Sequence, residues 1–195
     1  MNYCSSCGEP VSKQVPPGDD RERFVCSACA TIHYENPKIV TCCVPVFEDR
    51  VLLCRRAIEP RRGLWTLPGG FLETGETVFN GAARETWEEA RARVDGDGLY
   101  TVFNLPHISQ IYMFFRARVV GGRYGIGEET LETRLFREPE IPWDELAFPV
   151  ISKTLAHYFR DRPSGVFPVR VEDIIIQGAV GTPPMPAGQD GGTRR

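Results

Sequence analysis

Glutamates concentrate in the segment that follows a Pro-Gly-Gly turn near the middle of the chain. Between Gly70 and Glu89 the sequence has five carboxylates but only one basic residue, Arg84. Glu85 and Glu89 are one helical turn apart and Glu88 is their neighbour, so a helix would place all three on one face. Carboxylate oxygens suit Mg²⁺ or Mn²⁺, and these ions also bind substrate phosphates. The segment therefore indicates a divalent-metal site that handles phosphate, with a solvated acidic helix face as the alternative.

Four cysteines near the start of the sequence have the spacing of a second metal site. Two Cys-x-x-Cys pairs, separated by 18 residues, consist of Cys4, Cys7, Cys26 and Cys29. Each pair can bind one ion through two sulfurs, and two pairs complete the tetrahedral four-thiolate site typical of structural zinc. Iron in a similar four-sulfur site is the alternative. Because such a site has no open coordination position, zinc is predicted to stabilise folding rather than to take part in catalysis.

Alternating strand and helix patterns predict the elements that position the acidic site. Runs of β-branched and aromatic residues predict strands at 39–47, 51–56, 99–105, 108–120 and 130–136. Helical periodicity predicts one helix from about residue 76 to 94 and another over 150–160. The apolar face of the first helix is predicted to comprise Phe79, Ala83, Trp87, Ala90 and Val94. Strands interleaved with helices indicate an α/β or α+β sandwich.

Composition divides the chain into three parts and excludes several function classes. Residues 1–35 hold the cysteine pairs, residues 36–177 hold the predicted strands and helices, and the glycine- and proline-rich residues 178–195 are predicted to be disordered. With 23 Lys+Arg against 26 Asp+Glu the formal charge is −3, which does not favour nucleic acid as a partner. The sequence has no apolar run of ~18–20 residues and no secretory signal pattern. A cytoplasmic protein without a membrane or nucleic-acid partner is therefore expected.

The acidic segment resembles the Nudix box, whose pattern is Gly-x5-Glu-x7-Arg-Glu-U-x-Glu-Glu-x-Gly-U, where U is aliphatic. Six positions match in register, at Gly70, Glu76, Arg84, Glu85, Glu88 and Glu89. Thr86 and Ala92 stand at the aliphatic positions, and Arg91 stands at the second glycine. A cysteine ribbon, then residues 33–37 (His-Tyr-Glu-Asn-Pro), then this box is similar to the zinc-ribbon-headed Nudix hydrolases. The resemblance implies an α/β/α sandwich with a mixed sheet, preceded by a small N-terminal zinc ribbon.

The resemblance also implies roles for the residues of the box. Glu85 and Glu89 would bind Mg²⁺ or Mn²⁺, and Glu88 would share a second ion. The carbonyl of Gly69 is the expected backbone ligand, and Arg84 would orient Glu85 through a charge-assisted hydrogen bond. Two ions would activate water and stabilise charge on the leaving phosphate.

Residues outside the box are expected to complete the site. In relatives the general base often comes from another loop, and here the acidic residues 125–132 offer Glu129 or Glu128, an exposed polar loop being the alternative. Arg55 and Arg56 are candidates for binding phosphate, although one of them is expected to be only a surface charge. Aromatic residues are candidates for stacking on a substrate ring, with burial in the core as the alternative. These residues are Phe71, Tyr112 and Phe114.

The implied reaction is metal-dependent hydrolysis of the pyrophosphate bond of a nucleoside diphosphate derivative. Within the zinc-ribbon group the sequence looks closest to the branch that acts on ADP-ribose and FAD, and both substrates would release AMP. NADH is less favoured, because residues 104–112 lack the Ser-Gln-Pro-Trp-Pro-Phe-type segment of the NADH branch. A nucleoside triphosphate hydrolase and a non-catalytic nucleotide sensor are the alternatives. Relatives are often dimers, so a homodimer is also expected.

Overall fold

The computed structural model describes residues 1–175 of the 195-residue chain. They form two compact units, Met1–Pro37 and a second unit that begins at Lys38. The predicted disordered tail at 178–195 lies outside the described residues. Within the described part of the chain, no helix is long and apolar enough to cross a membrane.

The first unit is built on a small antiparallel sheet with three strands. They are β1 (Val11–Gln14), β2 (Arg23–Cys26) and β3 (Ile32–His33). The side chains of Cys4 and Cys26 are the buried sulfurs of this unit. Such short strands bury little apolar surface, which agrees with a segment that needs a metal to fold.

The second unit is built on a mixed sheet of eight strands with the order β10-β5-β4-β9-β8-β11, in which β6 pairs with β5 and β7 with β4. The strands are β4 (Lys38–Phe47), β5 (Arg50–Arg56), β6 (Trp65–Thr66), β7 (Gly69–Phe71), β8 (Val94–Leu105), β9 (Gln110–Val119), β10 (Thr130–Phe136) and β11 (Arg170–Asp173). Two pairs, β4 with β9 and β8 with β11, are parallel, and the remaining pairs are antiparallel. The helices are α1 (Val78–Ala90) and α2 (Pro149–Asp161).

The two helices cover opposite faces of this sheet. Successive residues of a strand point to opposite faces. On β4, Cys42 and Val44 share a core cluster with Leu155 of α2, whereas Cys43 packs with Ala82 of α1. The predicted α/β/α sandwich with a mixed sheet is therefore confirmed.

Helix α1 is shorter than its periodicity predicts, and it buries a different face. It ends at Ala90, and Val94 begins β8 instead of closing the helix. The prediction that Trp87 is buried was wrong, because Trp87 is 43% exposed, whereas Glu89 is only 8% exposed. The buried residues of α1 are Gly81, Ala82, Thr86, Glu89 and Ala90. Small side chains let the helix lie close to the sheet, so shape rather than hydrophobicity selects its buried face.

Other elements also differ from the sequence predictions, which did not include the short strands β1, β2, β3, β6 and β7. Strand β8 begins five residues earlier than residue 99, and β9 begins at Gln110 rather than at 108, because residues 106–108 form a 3-10 turn. Strand β11 was not predicted. It is short, three of its four residues are charged, and its pairing partner β8 lies 69 residues away in the chain. Its pairing is thus a tertiary contact that a local pattern does not reveal.

The end of α1 predicts an effect on stability. Arg91 follows the helix in the left-handed conformation (φ 49°, ψ 27°), where a residue with a β-carbon costs about 1 kcal/mol more than glycine. We expect Arg91→Gly to be about 1 kcal/mol more stable than Arg91→Ala, since both lose the arginine side chain and only glycine relieves the backbone strain. Urea denaturation measures the two free energies of unfolding, and equal values would show that this position is unstrained.

Candidate active site and cysteine cluster

The glycine turn and the acidic helix are both held against β4, a strand that comes earlier in the chain. Strand β7, which contains both glycines of the turn, pairs with β4, and α1 packs against β4. The Thr41 hydroxyl on β4 donates a hydrogen bond to the Val78 carbonyl at 2.7 Å. Thr77 caps the helix by accepting a hydrogen bond from the Asn80 N–H at 3.2 Å. The first turn of α1 is therefore fixed relative to the glycine turn.

Glycine is required in this turn by the close approach of other groups. A β-carbon added to Gly70 would overlap the Glu85 carboxylate, and one added to Gly69 would overlap the Cys42 side chain. The Gly69 N–H also donates a hydrogen bond to the Glu89 carboxylate at 3.2 Å. The turn thus brings backbone groups against two of the predicted metal-binding glutamates.

This close approach predicts that Gly70→Ala lowers catalytic activity. The added methyl group must displace the Glu85 carboxylate, and a displacement of about 1 Å at a reacting centre costs on the order of 10²-fold in rate. We expect kcat/KM to fall at least about 100-fold. The matched control is Gly125→Ala, whose β-carbon would come no nearer to another group than 3.3 Å, at the Arg91 β-carbon. Similar activities for the two variants would contradict the prediction.

Arg84 connects the carboxylates of the box. Its guanidinium donates hydrogen bonds to Glu76 at 2.9 and 3.1 Å, to Glu85 at 2.9 Å and to Glu88 at 3.1 Å. A further bond at 3.1 Å reaches the Phe71 carbonyl in the turn. Arg84 therefore contacts Glu85, as the resemblance implies. Arg84 also connects α1 to the segment before it through Glu76. The sequence identified Glu76 only as a matching position of the box and predicted no role for it.

Burial disfavours the charged form of the carboxylates nearest the turn. Burial raises the pKa of Glu89 to about 8, and the charges of Glu85 and Glu129 act in the same direction. Burial also raises the pKa of Glu85, against the opposing effect of Arg84. By contrast, the hydrogen bonds from Arg84 hold the pKa of Glu76 below its usual range. A cation beside Glu85 and Glu89 would compensate the cost of ionising them.

The donor set fits a divalent cation, although the glutamates do not already surround one point. Carboxylate oxygens with a backbone carbonyl nearby suit Mg²⁺ or Mn²⁺. Within residues 1–175, the four cysteines are the only group of three or more candidate ligands whose atoms lie within 4.8 Å of one another. Arg84 holds Glu85 and Glu88, so a cation would have to compete with its guanidinium for them.

A cavity of about 720 Å³ lies over the helix face that bears these glutamates, and we call it the acidic cavity. Its walls include the glycine turn, Glu85, Glu88 and Glu89 of α1, and Glu128 and Glu129 from the acidic loop. The loop is anchored by hydrogen bonds from the Gly127 N–H to the Glu89 carbonyl, at 3.0 Å, and from the Ala57 N–H to the Glu129 carbonyl, at 2.8 Å. Glu129 is also the loop residue whose charge acts on Glu89.

A second cavity, of about 430 Å³, adjoins the first and has mostly apolar walls. We call it the apolar cavity. The residues that line both cavities are Arg56, Pro60, Gly69, Gly70 and Phe71. Tyr112 lies in the apolar cavity, and burial raises its pKa to about 12, so its hydroxyl remains a hydrogen-bond donor at neutral pH. His107 lines it too, and its buried Nδ1 has no hydrogen-bond partner among the described residues.

The structure separates the predicted substrate-contacting residues. Arg56 and Phe71 stand at the boundary between the two cavities, and Tyr112 lies in the apolar one. Arg55 lines neither of them, since it donates a hydrogen bond to the Gly63 carbonyl at 2.8 Å and so holds a loop. Phe114 is fully buried in the core. His107 was missed as a binding candidate, because a single histidine after a proline carries no periodic signal.

The cysteine cluster has the geometry of a four-thiolate metal site. The sulfurs of Cys4 and Cys29 are 3.6 Å apart, and those of Cys7 and Cys26 are 3.5 Å apart. A zinc ion with bonds of about 2.3 Å to a tetrahedron of sulfurs separates them by about 3.8 Å. His33 Nε2 lies 3.3 Å from the Cys4 sulfur, where an N–H would support a thiolate ligand. The donor set fits zinc, and the predicted grouping of the four cysteines is confirmed.

Comparisons with known proteins identify both units. Residues 2–35 match a zinc-ribbon family model described as Nudix N-terminal, and residues 36–158 match the NUDIX domain model. The crystal structure of a NUDIX hydrolase from Nitrosomonas europaea is similar at 50% identity and a TM-score of 0.85, over 89% of this chain and 100% of that chain. An ADP-ribose pyrophosphatase from Streptococcus suis has the same fold, with a TM-score of 0.55 and 24% identity, over 70% of this chain and 99% of that one.

Curated relatives point to a further class of substrate. A protein of Salmonella heidelberg named NAD-capped RNA hydrolase NudC is 30% identical over 143 residues, which are 72% of this chain and 53% of that protein. A protein of the same name from Salmonella typhi matches equally well. This chain thus spans about half the length of these relatives. Their name includes RNA, which is at odds with the expectation that nucleic acid is not a partner.

Proposed function

The chain belongs to the Nudix hydrolase family and carries its N-terminal zinc ribbon, and on this premise we propose that it hydrolyses the pyrophosphate bond of nucleoside diphosphate derivatives. FAD and ADP-ribose are the proposed substrates, and AMP is their common product. The observation that carries the proposal is that the acidic and apolar cavities meet at the glycine turn. A molecule with a pyrophosphate beside an aromatic ring system matches this arrangement.

Each cavity has a distinct part in the proposed reaction. In the acidic cavity, Glu85, Glu88, Glu89 and the Gly69 carbonyl would hold Mg²⁺ or Mn²⁺, which supplies charge stabilisation and an activated water when bound. Glu129, which lines the same cavity, is the proposed general base. Arg56, at the boundary of the two cavities, would contact a phosphate through its guanidinium.

The apolar cavity supports substrates that contain adenosine. An adenine ring can stack on Phe71 or Tyr112 and accept a hydrogen bond from the Tyr112 hydroxyl or from His107. Leu105 and Ile108 line the same cavity, so residues 104–112, which distinguish this chain from the NADH branch, contribute one of its walls. This placement explains how that segment could change the preferred substrate while the catalytic machinery stays the same.

NAD-linked substrates are the second candidate. They are favoured by the named activity of the curated relatives, which share 30% identity over 72% of this chain. NADH and NAD-capped RNA have the same adenosine pyrophosphate core as FAD and ADP-ribose, so the acidic cavity does not discriminate between the two candidates. The distinction would depend on the apolar cavity.

A parallel product assay tests the proposal. Purified protein with Mg²⁺ or Mn²⁺ is incubated with FAD, ADP-ribose, NADH, NAD-capped RNA and nucleoside triphosphates, and the products are separated by chromatography. The highest kcat/KM for FAD or ADP-ribose, with release of AMP, is the expected result. The highest value for NADH or NAD-capped RNA would favour the second candidate, and turnover of triphosphates alone would overturn both. No turnover at all would favour a nucleotide sensor.

A further inference from the structure

A third cavity, of about 620 Å³, lies beside α1 and has a basic lining, and we call it the basic cavity. Its lining residues are Trp87, Arg91, Arg93, Val120, Gly121 and Arg123. Three of these six residues are arginines and none is acidic, although the whole chain has a formal charge of −3. The cavity is therefore a local concentration of positive charge on an acidic protein.

The exposed tryptophan offers a flat surface inside this charged cavity. Trp87 is 43% exposed. The guanidinium carbons of Arg91 and Arg93 lie 5.9 and 5.6 Å from the centre of its ring, which is within cation–π range. Trp87 is thus held by arginines without being covered, and a planar ring could stack on it.

The arginines of the basic cavity are not neutralised by a carboxylate in the part of the chain that the structure describes. Within residues 1–175, none of Arg91, Arg93 and Arg123 forms an ion pair, whereas Arg84 and Arg170 each contact carboxylates at 3.1 Å or less. Three guanidinium groups around one cavity repel one another unless an anion lies between them. Guanidinium groups match phosphate oxygens in geometry and charge, so phosphate is the ligand chemistry that this lining favours.

Arg91 joins the basic cavity to the acidic cavity, because it lines both. It stands at the position where the Nudix box has its second glycine, so its side chain is a feature that the family pattern lacks. A substrate whose pyrophosphate lies at the box glutamates could therefore continue past Arg91 towards Trp87.

We propose that the basic cavity binds a single-stranded nucleotide chain that extends from the pyrophosphate substrate. A base would stack on Trp87, and backbone phosphates would contact Arg91, Arg93 and Arg123. Every base has a face that can stack, and arginines contact phosphates of any sequence, so the binding is expected to be independent of sequence. This inference rests on the proposed function, because it extends the substrate of the same active site.

Direct binding of a short RNA tests this inference. The probe is a fluorescent single-stranded RNA of about ten nucleotides with a 5′-monophosphate, measured by anisotropy at several salt concentrations. We expect Arg93→Ala/Arg123→Ala to weaken binding at least about tenfold and to reduce the salt slope by about 1.4, since each phosphate contact in a single strand contributes about 0.7. Trp87→Ala should also weaken binding about tenfold.

The matched control is Arg134→Ala/Arg137→Ala, which removes the same charge from an exposed strand end outside the basic cavity. It should change RNA binding less than about twofold. If both double variants weakened RNA binding equally, the RNA would be attracted by net charge alone, and the inference would be overturned. Displacement of the RNA by AMP as efficiently as by unlabelled RNA would overturn it too, because a single nucleotide would then suffice.

Turnover of FAD and ADP-ribose by the same variants separates this inference from the proposed function. Arg93→Ala/Arg123→Ala should leave their kcat/KM unchanged within about twofold, because neither arginine lines the acidic cavity. Turnover without cavity-dependent RNA binding would contradict only this inference. Cavity-dependent RNA binding without turnover of any substrate would contradict only the proposed function.

Discussion

Glu89→Gln is expected to lower kcat/KM by about 10³-fold or more while the protein remains folded. Glu89 is 8% exposed and accepts a hydrogen bond from the Gly69 N–H. The glutamine amide has the same shape and its oxygen can accept the same bond, but it lacks the negative charge that a divalent cation requires. The measurement is turnover of whichever substrate has the highest kcat/KM, together with the thermal midpoint in chelator.

The control for this substitution is Glu138→Gln, which changes an exposed carboxylate outside the three cavities. It should keep nearly the activity of the original protein. If Glu89→Gln were as active as this control, the assignment of Glu89 as a metal ligand would be wrong.

The stability of the metal-free protein should depend on pH because Glu89 is buried. The pKa of Glu89 is raised to about 8 in the folded state from an ordinary value of 4.5. A carboxyl whose folded pKa is raised binds its proton more tightly when folded, so its contribution to the free energy of unfolding falls as pH rises from about 4.5 to about 8. Glutamine does not ionise, so the Glu89→Gln variant does not lose this free energy of unfolding as pH rises. In chelator, the thermal midpoint of Glu89→Gln should exceed that of the original protein by a margin that grows towards pH 8. If the two thermal midpoints changed in parallel with pH, Glu89 would not be buried as the structure shows.

Loss of zinc is expected to unfold the first unit, residues 1–37. This unit has only short strands, and a structural zinc site supplies on the order of 10 kcal/mol of folding free energy. Cys26→Ser should lower the bound zinc from about one ion per chain to near zero, because three sulfurs remain where four are needed. Metal analysis measures the zinc content. Amide hydrogen exchange should show lost protection in β1 and β2, with β4, β8 and β9 unchanged.

Ser27→Ala is the matched control, because it alters the same Cys-x-x-Cys pair without touching a sulfur. It should keep both the zinc and the protection of β1 and β2. Protection that persists in zinc-free Cys26→Ser would show that the unit folds without metal, and iron in the original protein would favour the alternative ion.

Sequence alone was sufficient to predict groupings of residues that depend on spacing along the backbone. Two residues between cysteines bring their sulfurs to one ion, and the helical repeat brings Glu85, Glu88 and Glu89 to one face. The strands predicted at 39–47 and 51–56 correspond to β4 and β5 for the same reason, since a run of β-branched residues is a local signal. These relationships hold whatever else the chain packs against.

Tertiary structure decided which surfaces meet. Arg55 and Arg56 are neighbours with the same chemistry, yet only Arg56 lines the cavities, because adjacent strand residues point to opposite sides. Trp87 and Glu89 were placed wrongly by hydrophobicity, since α1 packs through small residues and buries the carboxylate beside the glycine turn. The apolar cavity, the basic cavity and the approach of Glu129 to Glu89 join segments far apart in sequence. Backbone geometry sets distances within one element, whereas the packing of distant elements sets which side chains share a site.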